Sequence, residues 1–193
     1  MVWLGFRALA RYENTPGASG RVPDFWPAES LLARAVDQPT LVLFVHPHCP
    51  CSRATIGELA QLMADAQGKV RAQVVFLQPQ HAGDDWAQTE LWHSAAEIPG
   101  VTVSADLDGV EASRFGAETS GHAFLFHPAG WWLFDGGITA SRGHAGPSEG
   151  RSAIQSLLER TTSMPARTRV FGCSLRDPQQ ASNEHECSSE PKN

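Results

Sequence analysis

The chain has 193 residues, 41% of them hydrophobic, and a formal net charge of −6. That length and composition predict one globular domain with appended segments and a sizeable core. The acidic balance leaves no basic field for nucleic acid or an anionic membrane surface, so neither is expected as a partner. Arg160 to Arg169, the nearest approach to a basic stretch, is too sparse for a binding patch.

Met1 to Ala10 is apolar but interrupted by Arg7. It falls well short of the about 20 residues that span a bilayer. It also lacks the basic leader and unbroken apolar core of a signal peptide. A surface helix and the stump of a truncated membrane anchor both stay open. Residues 11–26, with Asn14-Thr-Pro-Gly-Ala-Ser-Gly20, read as a linker that would suit a tether. Pro27 to Val36 predicts a short helix with Leu31, Leu32, Ala35 and Val36 on one face and Pro39 beyond its end. Thr40 to Val45 predicts a buried strand. The helix after Cys51 carries Ile56, Leu59, Ala60 and Met63 on one face, with Gly68 placed to stop it.

Val70 to Leu77 reads as a second strand. Asp84-Asp85 opens a helical stretch to about Glu97, Val101 to Ala105 is a short strand, and Asp108 is expected to cap a helical turn ending near Gly116. Ala123 to Phe126 and Trp131 to Phe134 frame Pro128-Ala-Gly130 as a β-hairpin. Ser148 starts a last helix with Ile154, Leu157 and Leu158 inward. From Asp177 the chain is polar and aperiodic, which predicts disorder. The order β, α, β, α, β, short α, hairpin, α predicts an α/β fold with a mixed central sheet and helices on both faces. Residues 1–26 then form an N-terminal segment, 27–165 the domain, and 166–193 an extension.

Four cysteines are present: Cys49, Cys51, Cys173 and Cys187. They are too unevenly spaced in too long a chain for a disulfide framework, and one close pair with two scattered thiols reads as a site. A Cys173–Cys187 link stays open. Cys49 and Cys51 bracket Pro50 where a strand hands over to a helix, and unpaired N–H groups with the positive end of the helix dipole favour a thiolate there. Cys49 is the expected nucleophile and Cys51 the resolving thiol; Cys173 reads as a packed or idle thiol, with a resolving role as its alternative, and Cys187 as an incidental free thiol. A bridge across one residue closes a tight ring and should be easily reduced.

His46 and His48 flank this dipeptide, and His48 is expected to lower the Cys49 pKa. The same His-x-His-Cys-x-Cys string offers donors suited to Cu(I) or Zn, so a metal-handling protein is the first rival. Gly136 to Gly146 is glycine-rich, contains Arg142 and precedes a helix. Without the lysine and spacing of a phosphate loop, it reads as a structural loop beside the site. Trp131-Trp132 reads as strand packing.

Three segments carry a family resemblance: His46-Pro-His-Cys-Pro-Cys-Ser-Arg53, Ala105-Asp-Leu-Asp-Gly-Val-Glu-Ala-Ser-Arg-Phe-Gly116, and Phe124-Leu-Phe-His-Pro-Ala-Gly-Trp-Trp-Leu-Phe-Asp-Gly-Gly137. With the element order, they resemble the thioredoxin-like superfamily, in particular the TlpA/ResA type and bacterial RedB-like proteins. The resemblance spans roughly residues 40 to 160. It implies a thioredoxin fold and thiol–disulfide exchange with protein or small-molecule disulfides and dithiols, without a cofactor. It further implies a redox partner and a periplasmic or cell-envelope location with an N-terminal membrane anchor; a genuine short N-terminus would instead point to the cytoplasm. His122 would fall near the dithiol.

The chain departs from the family twice. The usual Cys-x-x-Cys is Cys49-Pro-Cys-Ser52, so Ser52 stands at the resolving position. The cis-proline facing the dithiol is replaced near Ser120-Gly121-His122. A redox-silent domain keeping only the fold is the second rival.

Overall fold

The computed structural model describes residues 7, 10–83 and 85–176. Strand β1 (Thr40–Val45) is buried along its whole length, as an apolar β-branched run should be in the middle of a two-sided sheet. Leu41, Leu43 and Val45 enter one core layer, while Val42 and Phe44 enter the other, following the two-residue period of a strand. The elements that follow are α1 (Ser52–Ala66), β2 (Arg71–Gln78), α2 (Glu90–Ala96), β3 (Val101–Leu107) and α3 (Val110–Phe115). After them come β4 (His122–Phe126), β5 (Trp132–Gly137), α4 (Glu149–Leu158) and β6 (Ala166–Arg167).

The sheet order is β3-β2-β1-β4-β5-β6. β1, β2 and β3 run parallel, each pair joined by a helical crossover; β4 is antiparallel to β1 and β5 to β4. The short β6 adds to β5 in parallel. Helices α1, α2 and α4 bury Leu59, Leu62, Leu91 and Ile154 on one face. On the other, Phe115 of α3 packs with Phe44, Phe124, Trp26 and Leu175. This mixed sheet with helices on both faces is the expected thioredoxin-like architecture.

Pro27 to Val36 is not helical. Leu31 and Val36, assigned to a buried face by their spacing, are 88% and 80% exposed. Side chains capture the backbone donors that a helix would have used: Leu31 N–H binds Glu111 Oε1 at 3.0 Å, and Ala35 N–H binds Thr40 Oγ1 at 2.9 Å. The N-cap of α3 is Gly109, and the side chain that satisfies its first turn is that of Asp106 rather than Asp108. Its two carboxylate oxygens each accept a main-chain N–H at 2.8 Å, from Glu111 and Ala112. Asp108 instead adopts a φ of 53° and accepts the Gln80 N–H. The stretch expected to be helical from Asp84 becomes so only at Glu90, and Asp84 itself lies outside the described residues.

The expected tether lies along the body. Gly17 and Gly20 donate their N–H groups to the carbonyls of Val170 and Gly116, both at 2.9 Å. Trp26 meets the rings of Phe115 and Phe126 edge-on at 5.1 and 5.2 Å. At the other end, residues 166–176 supply β6 and bury Val170 and Leu175. Most of the apolar N-terminus and the polar tail from Asp177, with Cys187, lie outside the described residues. Among the described residues, no helix is long and apolar enough to cross a membrane.

Helix α4 lies close on the sheet at Gly150, where an added Cβ would stand 1.9 Å from the Gly137 carbonyl oxygen. Alanine is the better helix former by about 1 kcal/mol, so propensity alone would make Gly150→Ala stabilising. The close approach reverses the sign. Gly150→Ala should lower stability by about 1–3 kcal/mol in urea unfolding; a gain would show that α4 can ride away from β5 without cost.

Candidate active site

The chain leaves β1 at Val45 and turns through His46 to Pro50. Cys49 N–H donates to the His46 carbonyl and Ser52 N–H to the Cys49 carbonyl, both at 3.1 Å. Cys51 takes the N-cap position of α1, and its side chain makes no capping hydrogen bond. The sulfur of Cys49 also has partners beyond this turn.

Those partners come from the far end of the chain. Cys173 Sγ stands 2.9 Å from Cys49 Sγ, although the two are 124 positions apart. The sulfurs of Cys49, Cys51 and Cys173 all lie within 4.8 Å of one another. The Cys173 segment is held by main-chain hydrogen bonds of 2.8 Å: Ser120 N–H to the Cys173 carbonyl and Leu175 N–H to the Glu118 carbonyl. Gly172 allows this approach, since a Cβ there would meet the Ser120 carbonyl oxygen at 1.9 Å.

Ser120 is the residue that sequence reasoning missed. Its hydroxyl accepts the His46 N–H at 2.8 Å and shares a 2.8 Å hydrogen bond with the Ser52 hydroxyl. Beside it, Gly121 N–H donates to the Phe44 carbonyl at 2.8 Å, with a φ of 91° that favours glycine. Ser120 and Gly121 stand where the resemblance places a proline. A proline has no N–H, so either position filled by one would lose a bond to Cys173 or to β1. The signal was present in the sequence as the missing proline.

The glycine-rich loop acquires a role here. Arg142 Nη1 donates to the Gly172 carbonyl, Arg142 Nε reaches the Thr15 carbonyl at 3.3 Å, and the guanidinium lies 4.9 Å from the Tyr12 ring centre. The loop's other end is tied to α1, where buried Glu58 accepts the Gly146 N–H at 2.6 Å and pairs with Arg151 at 2.5 Å. It is a structural loop that braces the Cys173 segment.

Ionisation is unevenly shared among the sulfurs. Burial works against a charge on Cys49, which is 1% exposed. Hydrogen bonds from the Cys173 thiol, the Ser52 hydroxyl and the main-chain N–H groups of Cys173 and Cys51 outweigh it, holding its pKa below the ordinary thiol value. Burial, the charge of Cys49 and a hydrogen bond to it push Cys51 up. Burial, then the hydrogen bond and charge of Cys49, push Cys173 up to about 12. Arg142 opposes the rise in both. The cluster thus favours one thiolate, at Cys49, flanked by two thiols.

His48 does not play its expected part. Its ring packs on Trp86 with centres 4.5 Å apart, its N–H donates to His46 Nδ1, and it is not among the groups that lower Cys49. His122 is engaged elsewhere, fully buried, stacked on Phe124 and bonded through Nε2 to Asp135 at 2.6 Å. Trp131 stacks on His127 at 3.9 Å, and Trp132 lies beneath Arg167. Cys49 also borders a shallow cleft of about 240 Å³ between Pro47–Pro50 and Thr89–Leu91, with the Arg53–Glu90 ion pair at its rim.

No protein-family model and no curated protein matches this chain. Among solved structures it is similar to a hypothetical protein from Sinorhizobium meliloti 1021, with a TM-score of 0.61 and 16% identity over 81% of this chain and 96% of the other. It is also similar to an uncharacterized conserved protein from Geobacillus kaustophilus, with a TM-score of 0.60 and 18% identity over 86% of this chain and 94% of the other. A secreted Mycobacterium tuberculosis disulfide oxidoreductase aligns more loosely, at a TM-score of 0.45 and 16% identity over 64% of this chain and 82% of the other. At these identities the first two likenesses concern the fold, and the third is too distant to add to them.

Because the lowered pKa keeps Cys49 ionised to lower pH than a free thiol, ultraviolet thiolate absorbance should show its first step below the ordinary thiol range. Cys49→Ser should abolish that step. Cys173→Ala should move it upward, since the side-chain donor to the thiolate is lost. A first step indifferent to Cys49→Ser would assign the charge to another sulfur.

Proposed function

We propose that this chain is a thiol–disulfide oxidoreductase in which Cys49 is the nucleophile and Cys173 the first thiol to resolve it. The observation that carries the reading is the 2.9 Å separation of the two sulfurs, with the proton-retaining thiol of Cys173 facing the low-pKa sulfur of Cys49. Cys51, within 4.8 Å of both, is the second resolver and the one its spacing suggests.

The exchange needs no cofactor, because the sulfurs carry both electrons. Cys49 thiolate attacks one sulfur of a substrate disulfide, forming a mixed disulfide and expelling the other substrate sulfur as a thiolate. The Cys173 thiol gives its proton to the expelled substrate thiolate, attacks Cys49 Sγ and releases the second substrate sulfur as a thiolate. The substrate disulfide is reduced by two electrons and the Cys49–Cys173 pair oxidised by two. The same steps run backwards oxidise a dithiol.

The 1% exposure of Cys49 favours a slender substrate, a small disulfide or an extended peptide entering by the cleft beside Pro50. A thiol or disulfide protein is the partner that would reset the pair. The narrower likeness to TlpA/ResA-type and RedB-like proteins rests on the three segments quoted above, and the cell envelope is the compartment in which such a pair would be at work.

Equilibration of the full chain in glutathione buffers, followed by alkylation and mass mapping, tests the reading. A Cys49–Cys173 bridge with Cys51 free is expected. It spans 124 positions, so oxidation should raise stability by about 2–4 kcal/mol through restriction of the unfolded chain. A Cys49–Cys51 bridge would transfer the resolving role to Cys51 and leave stability nearly unchanged. Cys49 remaining a free thiol at every ratio would end the exchange reading.

A further inference from the structure

We propose that the reduced chain binds one Cu(I) ion in a three-thiolate site formed by Cys49, Cys51 and Cys173. The sequence suggested a metal held by the Cys-Pro-Cys dipeptide with a neighbouring histidine. The structure supplies a different third donor. Among the described residues, the donor atoms gathered within 4.8 Å of one another at this place are three cysteine sulfurs, and no histidine joins them.

The geometry suits a small, soft ion. Metal–thiolate bonds of about 2.3 Å place three sulfurs around a planar ion about 4.0 Å apart. The three sulfurs here lie near that spacing: Cys49 and Cys173 stand at 2.9 Å and no two of the three are more than 4.8 Å apart. Opening the first pair by about 1 Å is within the reach of χ1 rotation. Thiolate donors select Cu(I) and Zn. A closed zinc site takes four donors in a tetrahedron, whereas the softer, singly charged Cu(I) is satisfied by three thiolates. The donor count therefore favours Cu(I).

The surroundings are already arranged for such a complex. Cys173 is fixed by the Ser120 N–H and by the close approach at Gly172, while Cys51 is fixed at the start of α1. A monovalent ion with three thiolates leaves two negative charges, and Arg142, bonded to the Gly172 carbonyl, brings a positive charge beside them. Cys51 and Cys173 are partly exposed, which gives the ion an entrance on their side. Binding releases the protons still held by the thiols and changes no oxidation state. Disulfide formation between any two of the three removes two donors, so the oxidised protein and the metal complex exclude each other. The inference shares its sulfurs with the exchange reading and does not depend on their exchanging.

Anaerobic titration of the reduced full chain with Cu(I), in competition with a chromophoric Cu(I) chelator, is the test, with Cys187→Ser as background to remove the fourth thiol. One equivalent should bind, and X-ray absorption should show three sulfurs at about 2.3 Å. Cys173→Ser should weaken binding by about 100-fold or more, beyond the about 10–100-fold cost of losing an outer-shell partner. Gly172→Ala keeps every thiol but pushes Cys173 away, so it should weaken binding too. His48→Ala should bind as tightly as the parent. Failure to compete with the chelator, a two-sulfur site, or unaltered binding by Cys173→Ser with a native circular dichroism spectrum would overturn the proposal. Mapping that finds Cys49–Cys173 while copper fails to bind sinks this inference alone; copper binding with Cys49 inert to glutathione sinks the exchange reading alone.

Discussion

The hydrogen bond from Ser120 N–H to the Cys173 carbonyl is the constraint on which the site depends. It brings a segment from beyond the last helix against the turn that precedes β4, at 2.8 Å, and glycine at 172 makes the contact sterically possible. Without it, Cys49 would sit beside a proline at a helix start with only Cys51 for company. With it, three sulfurs share one small volume. The main-chain N–H of Cys173 then becomes one of the donors that hold charge on Cys49.

Burial and ionisation pull against each other at Cys49. A thiol that is 1% exposed ordinarily resists deprotonation. Here the same packing that removes water supplies donors at fixed positions, and their sum exceeds the desolvation penalty. Cys51 and Cys173 show the opposite balance because burial, and then the charge already present on Cys49 beside them, outweigh what Arg142 offers. A thiolate kept from water is shielded from indiscriminate oxidation, and it is also harder to reach.

Much of this was legible in the sequence. The strand from Thr40 to Val45, the helix stripe of Ile56, Leu59 and Met63, and the hairpin around Pro128 follow from period and turn chemistry, and each appears where expected. The misreadings share a physical cause. Leu31 and Val36 have helical spacing, but Glu111 and Thr40, distant or turned in from the next strand, offer acceptors that no local pattern encodes. Asp106 outcompetes Asp108 for the first turn of α3 because its side chain is buried at the end of β3, where both its oxygens face main-chain donors. At the site, Cys49 and Cys51 were visible from their neighbours. The nearness of Cys173 is a tertiary fact, carried by a strand-like contact between Thr119 and Ser174 that has no signature in spacing.

The departures from the pattern the sequence resembles then form one arrangement rather than several losses. A dithiol spaced as Cys-x-x-Cys keeps both sulfurs on adjoining turns of one helix, so it is complete as a local element. In Cys49-Pro-Cys-Ser52 the resolving position holds a hydroxyl, which the structure spends on Ser120 and on supporting the Cys49 charge. The missing proline frees the N–H groups of Ser120 and Gly121, and these tie down the very segment that returns a thiol to the site. Arg142 closes the arrangement by joining that segment to the glycine-rich loop and to residues 12–15. The three-sulfur cluster of this chain is thereby made conditional on three remote segments docking together, where a contiguous pair would need only a helix.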